Sequence, residues 1–107
     1  MKSKLYLTIQ AKDEIQQIAL AVAKLTSSKE AARKLVEGLR KEYSVLEDFP
    51  ESGSFPADYM LRSKGYRFLV YKDYLIFYKY EKSKNEVSII SVMNAKLDYV
   101  RVMKKFL

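Results

Sequence analysis

From Leu5 to Leu46 the apolar residues recur mostly at helical spacing, and from Tyr66 to Met93 they form short runs separated by polar pairs. The first few residues differ, because Lys4–Thr8 alternates in character through Leu5, Leu7 and Ile9 and predicts a short strand. Asp13 and Glu14 then suit the first turn of a helix, where carboxylates favour the positive end of the dipole. Ile15, Ile18, Ala19, Val22 and Leu25 follow on one face of it. Leu25-Thr26-Ser27-Ser28 breaks that helix. Ser27, with Glu30 three residues on, has the pattern of a capping box for a second helix. Ala32, Leu35, Val36, Leu39, Tyr43 and Leu46 give this second helix a continuous apolar stripe. So short a link predicts an antiparallel helical hairpin.

Phe49-Pro50-Glu51-Ser52-Gly53-Ser54-Phe55-Pro56 holds both prolines and predicts a loop. Beyond it, Tyr59–Ser63, Tyr66–Tyr71, Tyr74–Glu81 and Val87–Met93 are rich in β-branched and aromatic residues and read as four strands. Lys64-Gly65, Lys72-Asp73 and Lys82-Ser83-Lys84-Asn85 supply the turns of an antiparallel meander. Alternation sets Leu75 and Phe77 against Ile76, Tyr78 and Tyr80, and sets Val87 and Ile89 against Ser88, Ile90 and Val92. Both sheet faces are therefore apolar enough to be covered, the second by a C-terminal helix or a partner. Leu97–Leu107 predicts that helix, with Leu97, Val100 and Met103 on one face. The expected fold is α+β: an N-terminal strand, a helical hairpin packed on a mainly antiparallel sheet, and a short C-terminal helix. Residues 1–107 form one domain, too short for two cores.

Composition narrows the chemistry. The chain has no histidine and no cysteine. This excludes imidazole catalysis, Ser-His triads and thiolate or disulfide chemistry, and it leaves no expected metal site or cofactor. No apolar run is long enough to cross a membrane and no signal-peptide pattern opens the chain, so a cytoplasmic protein is expected. The net charge of +7 is uneven. Residues 1–54 carry 9 basic against 8 acidic side chains, and residues 55–107 carry 11 against 5. Seven of the nine tyrosines also lie between Tyr59 and Tyr99. Cations interleaved with aromatic rings suit RNA, and they suit an acidic protein partner equally. They also describe solvated lysines around core tyrosines.

Catalysis in such a chain falls to Lys, Arg, Tyr and the carboxylates. Attack of an RNA 2′-hydroxyl on its own phosphate needs a proton acceptor and a cation beside the phosphorane, which tyrosine or lysine and arginine can provide. Arg67 is the leading position. It stands next to a turn, on the strand face opposite Tyr66 and Phe68 and shared with Leu69 and Tyr71. On residues alone the bland alternative for Arg67 is an exposed strand arginine, and Tyr99 reads equally as a core residue of an amphipathic helix.

Gly65-Tyr66-Arg67 at the head of two aromatic strands, with Leu46-Glu47-Asp48-Phe49-Pro50 before it and Leu97-Asp98-Tyr99 after it, resembles the RelE/ParE family. These are small toxins of bacterial type II toxin–antitoxin systems, also known as plasmid-stabilisation proteins. The resemblance implies the same order of elements and a cognate acidic antitoxin as partner. In the RelE-like branch it further implies ribosome-dependent cleavage of mRNA without a metal. Arg67 would then contact the scissile phosphate and Tyr99 would lie near the 2′-hydroxyl. Arg62, Lys64 and Lys96 would bind the RNA, with Arg62 and Lys64 on one strand face. The alternative is the ParE-like branch, which generally lacks the nuclease residues and acts on DNA gyrase, or a degenerate member that binds antitoxin without toxicity. Asp58 in Ala57-Asp58-Tyr59-Met60, and Ser91 and Asn94 in Ile90-Ser91-Val92-Met93-Asn94-Ala95, stand where basic residues are expected of RNA-cleaving members. Lys96 is the first basic residue after them.

Overall fold

The computed structural model describes residues 2–107. Leu5 and Leu7 of the first strand, β1 (Lys4–Leu7), pack into the core while Lys4 and Tyr6 face out, as alternation requires. Thr8 then ends the strand and starts the first helix, α1 (Ile9–Thr26). Its side-chain oxygen accepts the Ala11 N–H at 3.1 Å, and its hydroxyl donates to the Ile90 carbonyl at 3.1 Å. The helix therefore begins well before Asp13, because Thr8 satisfies an orphan N–H that a carboxylate in the first turn only favours electrostatically.

The link to α2 (Lys29–Ser44) is two residues long. Ser27 takes a left-handed conformation with φ 52° and closes α1, so the cap of α2 passes to Ser28, which accepts the Ala31 N–H at 3.0 Å. Glu30 turns to Arg33 instead of completing a box with Ser27. A 3-10 turn at Val45–Glu47 follows, and the buried Ser3 hydroxyl ties it to the start of β1 through the Leu46 carbonyl at 2.9 Å.

The sheet has four strands in the order β1-β4-β3-β2. β2 (Tyr66–Tyr71), β3 (Tyr74–Glu81) and β4 (Glu86–Asn94) make the expected antiparallel meander, and β1 adds parallel to β4. The predicted strand at Tyr59–Ser63 is instead a short helix, α3. The Asp58 carboxylate accepts the Leu61 N–H at 3.1 Å, and Leu61 is the one residue of the segment buried in the core. A strand would bury every second residue. Arg62 and Lys64 accordingly stand on and just after a helix, not on one strand face.

The helical hairpin covers one face of the sheet, where Leu35, Leu39, Tyr43 and Leu46 meet Ile76, Tyr78, Val87, Ile89 and Val92. The second face holds Tyr66, Leu75, Phe77 and Met93 under Leu61 and Met103. Met103 belongs to α4 (Tyr99–Met103), which is shorter than the predicted Leu97–Leu107 and passes into a 3-10 turn at Lys104–Phe106. Val92 lies with the hairpin, against the simple alternation. A bulge explains this. Phe77 pairs with Ser91 and Tyr78 with Ile89, leaving Ile90 as the extra residue that reverses the phase of β4.

Candidate functional site

Gly65, with φ +88°, makes the turn into β2 in a conformation that residues with a side chain rarely adopt. Arg67 follows on the face shared with its cross-strand neighbour Tyr78. Its guanidinium lies against the preceding loop. Nη1 donates to the Glu51 carbonyl at 2.8 Å and the Gly53 carbonyl at 3.1 Å. Nη2 stands 3.7 Å from the Glu51 carboxylate, and Cζ sits 4.0 Å from the centre of the Phe55 ring. The side chain is 18% exposed. The loop is also held from below, since the buried Tyr78 hydroxyl accepts the Gly53 N–H at 2.9 Å. Ser54 and Phe68 exchange two backbone hydrogen bonds of 2.9 Å. A side chain at Gly53 has no room, because its Cβ would fall 2.6 Å from the Tyr78 ring and 2.9 Å from the Phe68 carbonyl.

Tyr99 leaves the other side of the sheet. It opens α4 behind the capping Asp98, and its ring stacks on Phe77 at 5.5 Å and 29°. Phe77 belongs to the second face and Tyr78 to the hairpin face. Arg67 and Tyr99 are therefore separated by the sheet. Lys96 is exposed in the turn leading to Tyr99, and its N–H donates to the Asn94 side chain at 2.8 Å. Arg62 is exposed on α3 with its Cζ 5.5 Å from the Phe55 ring, and Lys64 is exposed at the end of that helix. The fold thus gathers Arg62 and Arg67 around Phe55, and it holds Tyr99 apart. Burial pushes the phenols of Tyr43, Tyr66 and Tyr78 above their ordinary pKa. For Tyr78 the Gly53 hydrogen bond and the nearby Arg67 oppose that shift without reversing it.

Two features escape a reading of the sequence. The first is Glu14, whose carboxylate accepts the Ser91 hydroxyl at 2.9 Å and the Val92 N–H at 3.0 Å. β1 pairs with β4 only as far as Ile89, so Glu14 supplies the acceptor that a longer β1 would have offered to Val92. The signal was present, since Glu14 lies four residues before Ile18 and interrupts the inward stripe of α1. The second is a groove of about 550 Å³ between α1 and the ends of β3 and β4. Ile18, Ala21, Val22, Leu25, Tyr74 and Leu97 make it mostly apolar, with Asp13 and Glu14 among its polar lining. Among the described residues, no group of three or more His, Cys, Asp or Glu side chains could hold a metal ion. Among the described residues, no helix is long and apolar enough to cross a membrane.

A helical hairpin on one face of a four-stranded sheet, with a short C-terminal helix on the other, is the fold of the RelE and ParE toxins. The ParDE toxin–antitoxin system of P. aeruginosa includes a chain that superposes with a TM-score of 0.73 at 16% identity, over 89% of this chain and 98% of that one. A mutant RelE toxin of E. coli in the free state superposes at 0.64 and 17% identity over the whole of both chains. A chain of the RelBE2 complex of Mycobacterium tuberculosis gives 0.61 at 15% identity, over 88% of this chain and 99% of that one. Comparison with curated protein sequences finds no significant match. Residues 5–99 match the family described as the ParE toxin of the type II toxin–antitoxin system, parDE. This chain belongs to that family of toxins.

Proposed function

We propose that this chain arrests growth by binding a protein target, DNA gyrase, and that an antitoxin segment silences it by lying in the groove between α1 and β4. The observation that supports this most is the separation of Arg67 from Tyr99. Cleavage at a 2′-hydroxyl requires a base and a charge-stabilising cation to converge on one phosphate. In this chain the cation is bound to two carbonyls, and the phenol leaves the opposite face. A toxin that works by occupying a protein surface needs no such convergence. The family match supports the same branch, since the ParE toxins are those that the resemblance associates with gyrase.

The groove suits a segment that folds as it binds and places apolar side chains on Ile18, Val22 and Leu97. The net charge of +7 steers an acidic antitoxin to the molecule from a distance. The groove's charged lining is Asp13 and Glu14, so the docked stretch is apolar and the antitoxin's acidic residues fall outside it. One observation favours a second reading, the ribosome-dependent mRNA endonuclease. Arg62 and Lys64 stand exposed near Arg67, where they could meet a phosphate backbone. Cells arrested by this protein separate the two readings. Induction of the DNA-damage response with transcripts intact is expected, and transcript ends mapping to the ribosomal A site would replace gyrase with mRNA as the target.

A further inference from the structure

Residues 49–60 expose Phe49 at 65%, Phe55 at 45%, Tyr59 at 77% and Met60 at 50%. An exposed connecting segment is ordinarily the mobile part of a fold. This one is held by the Arg67 guanidinium, the Tyr78 hydroxyl, the Ser54–Phe68 pair and the Asp58 cap. Phe55 and Tyr59 are joined through Arg62, which stands beside the Phe55 ring and lies three residues from Tyr59 on α3. Exposed aromatic side chains, arginine and methionine on a backbone already fixed are the composition and the pre-organisation of a protein-binding hot spot.

We infer that Phe55, Tyr59 and Arg62 form the face with which the toxin grips its protein target, apart from the antitoxin groove. The inference rests on the reading above that the target is a protein. The partner it fits has an apolar pocket bordered by carboxylates. The acids near this face are already engaged, Asp58 by the Leu61 N–H and Glu51 by Arg67. Arg62 and Lys64 make no ion pair among the described residues. Two free cations are few for a phosphate backbone, whereas the exposed apolar side chains are many. None of the groove's lining residues belongs to the 49–67 segment, so target and antitoxin need not compete for the same atoms.

The test is inducible expression of the Tyr59→Ser/Arg62→Glu chain, with growth and the thermal midpoint measured beside wild type. Both side chains are exposed, so the midpoint should not move, and survival should rise by about tenfold or more. Arg62→Lys should keep toxicity. If the double variant lowers the midpoint, Tyr59→Ser alone carries the same expectation without disturbing the Phe55 contact. Killing equal to wild type by the folded variant would overturn the inference. So would toxicity lost because cutting of transcripts had stopped, since the face would then read RNA. A wild-type chain that kills without affecting gyrase, beside a harmless double variant, would remove gyrase as the target and leave this face in place.

Discussion

Arg67 meets the loop more than it meets solvent, and this changes what its removal should report. Arg67→Ala would strip two carbonyls of a charged donor, a loss of about 1–3 kcal/mol at a partly buried site. We expect a lower thermal midpoint and faster proteolysis within residues 51–55, so that any loss of toxicity comes with a loosened loop. An unchanged midpoint with toxicity abolished would instead make Arg67 a contact residue. Gly53 tests the same clamp from the other side. Gly53→Ala pushes a methyl group into the Tyr78 ring and the Phe68 carbonyl, and overpacking of this kind costs about 1–3 kcal/mol. Denaturant unfolding would read that loss, and equal stability would mean the loop can shift away from β2.

The periodicity of the chain predicts β2 and β3 to the residue and β4 to within one at either end, because Lys72-Asp73 and the Lys82–Asn85 turn bound runs of strongly strand-forming residues. It predicts the hairpin as well, since the stripe of α2 is uninterrupted. What it misses lies where a single side chain decides between two structures. Tyr59–Ser63 has the composition of a strand, yet Asp58 caps it as a helix. The phase of β4 depends on a bulge at Ile90, which no local pattern announces. The candidate site was legible only as a cluster of motifs, because the partners of Arg67 come from a loop 14 to 16 residues earlier. Glu14 binds residues 77 and 78 positions away, a pairing that the fold alone creates. Glu14→Ala should leave the Val92 N–H unsatisfied, cost about 1–3 kcal/mol, and speed amide exchange at Val92 above that at Ile89. Unchanged exchange at Val92 would show that another acceptor replaces the carboxylate.

Across the whole molecule, Tyr43 of α2 and Tyr78 of β3 lie in the core between the helical hairpin and the sheet, and Tyr66 in the smaller core under the C-terminal helix. Burial raises all three phenols in the folded state above the ordinary value near 10 that they regain on unfolding. The unfolded chain therefore loses those protons first. The stability they confer is intact below about pH 10 and is lost as pH rises through the folded values. Alkaline titration should show a cooperative step in which the phenols of Tyr43, Tyr66 and Tyr78 ionise together as the fold opens. A smooth titration with circular dichroism unchanged would contradict that burial. The same two-sided packing sets Arg67 and Tyr99 apart, and the proposed surface mechanism rests on that separation. The direct test is a supercoiling reaction with purified DNA gyrase, relaxed plasmid and increasing amounts of the folded protein. Supercoiling that falls with dose, with cleaved plasmid accumulating, is the expected result. Supercoiling unaffected by protein that arrests growth in cells would contradict gyrase as the target.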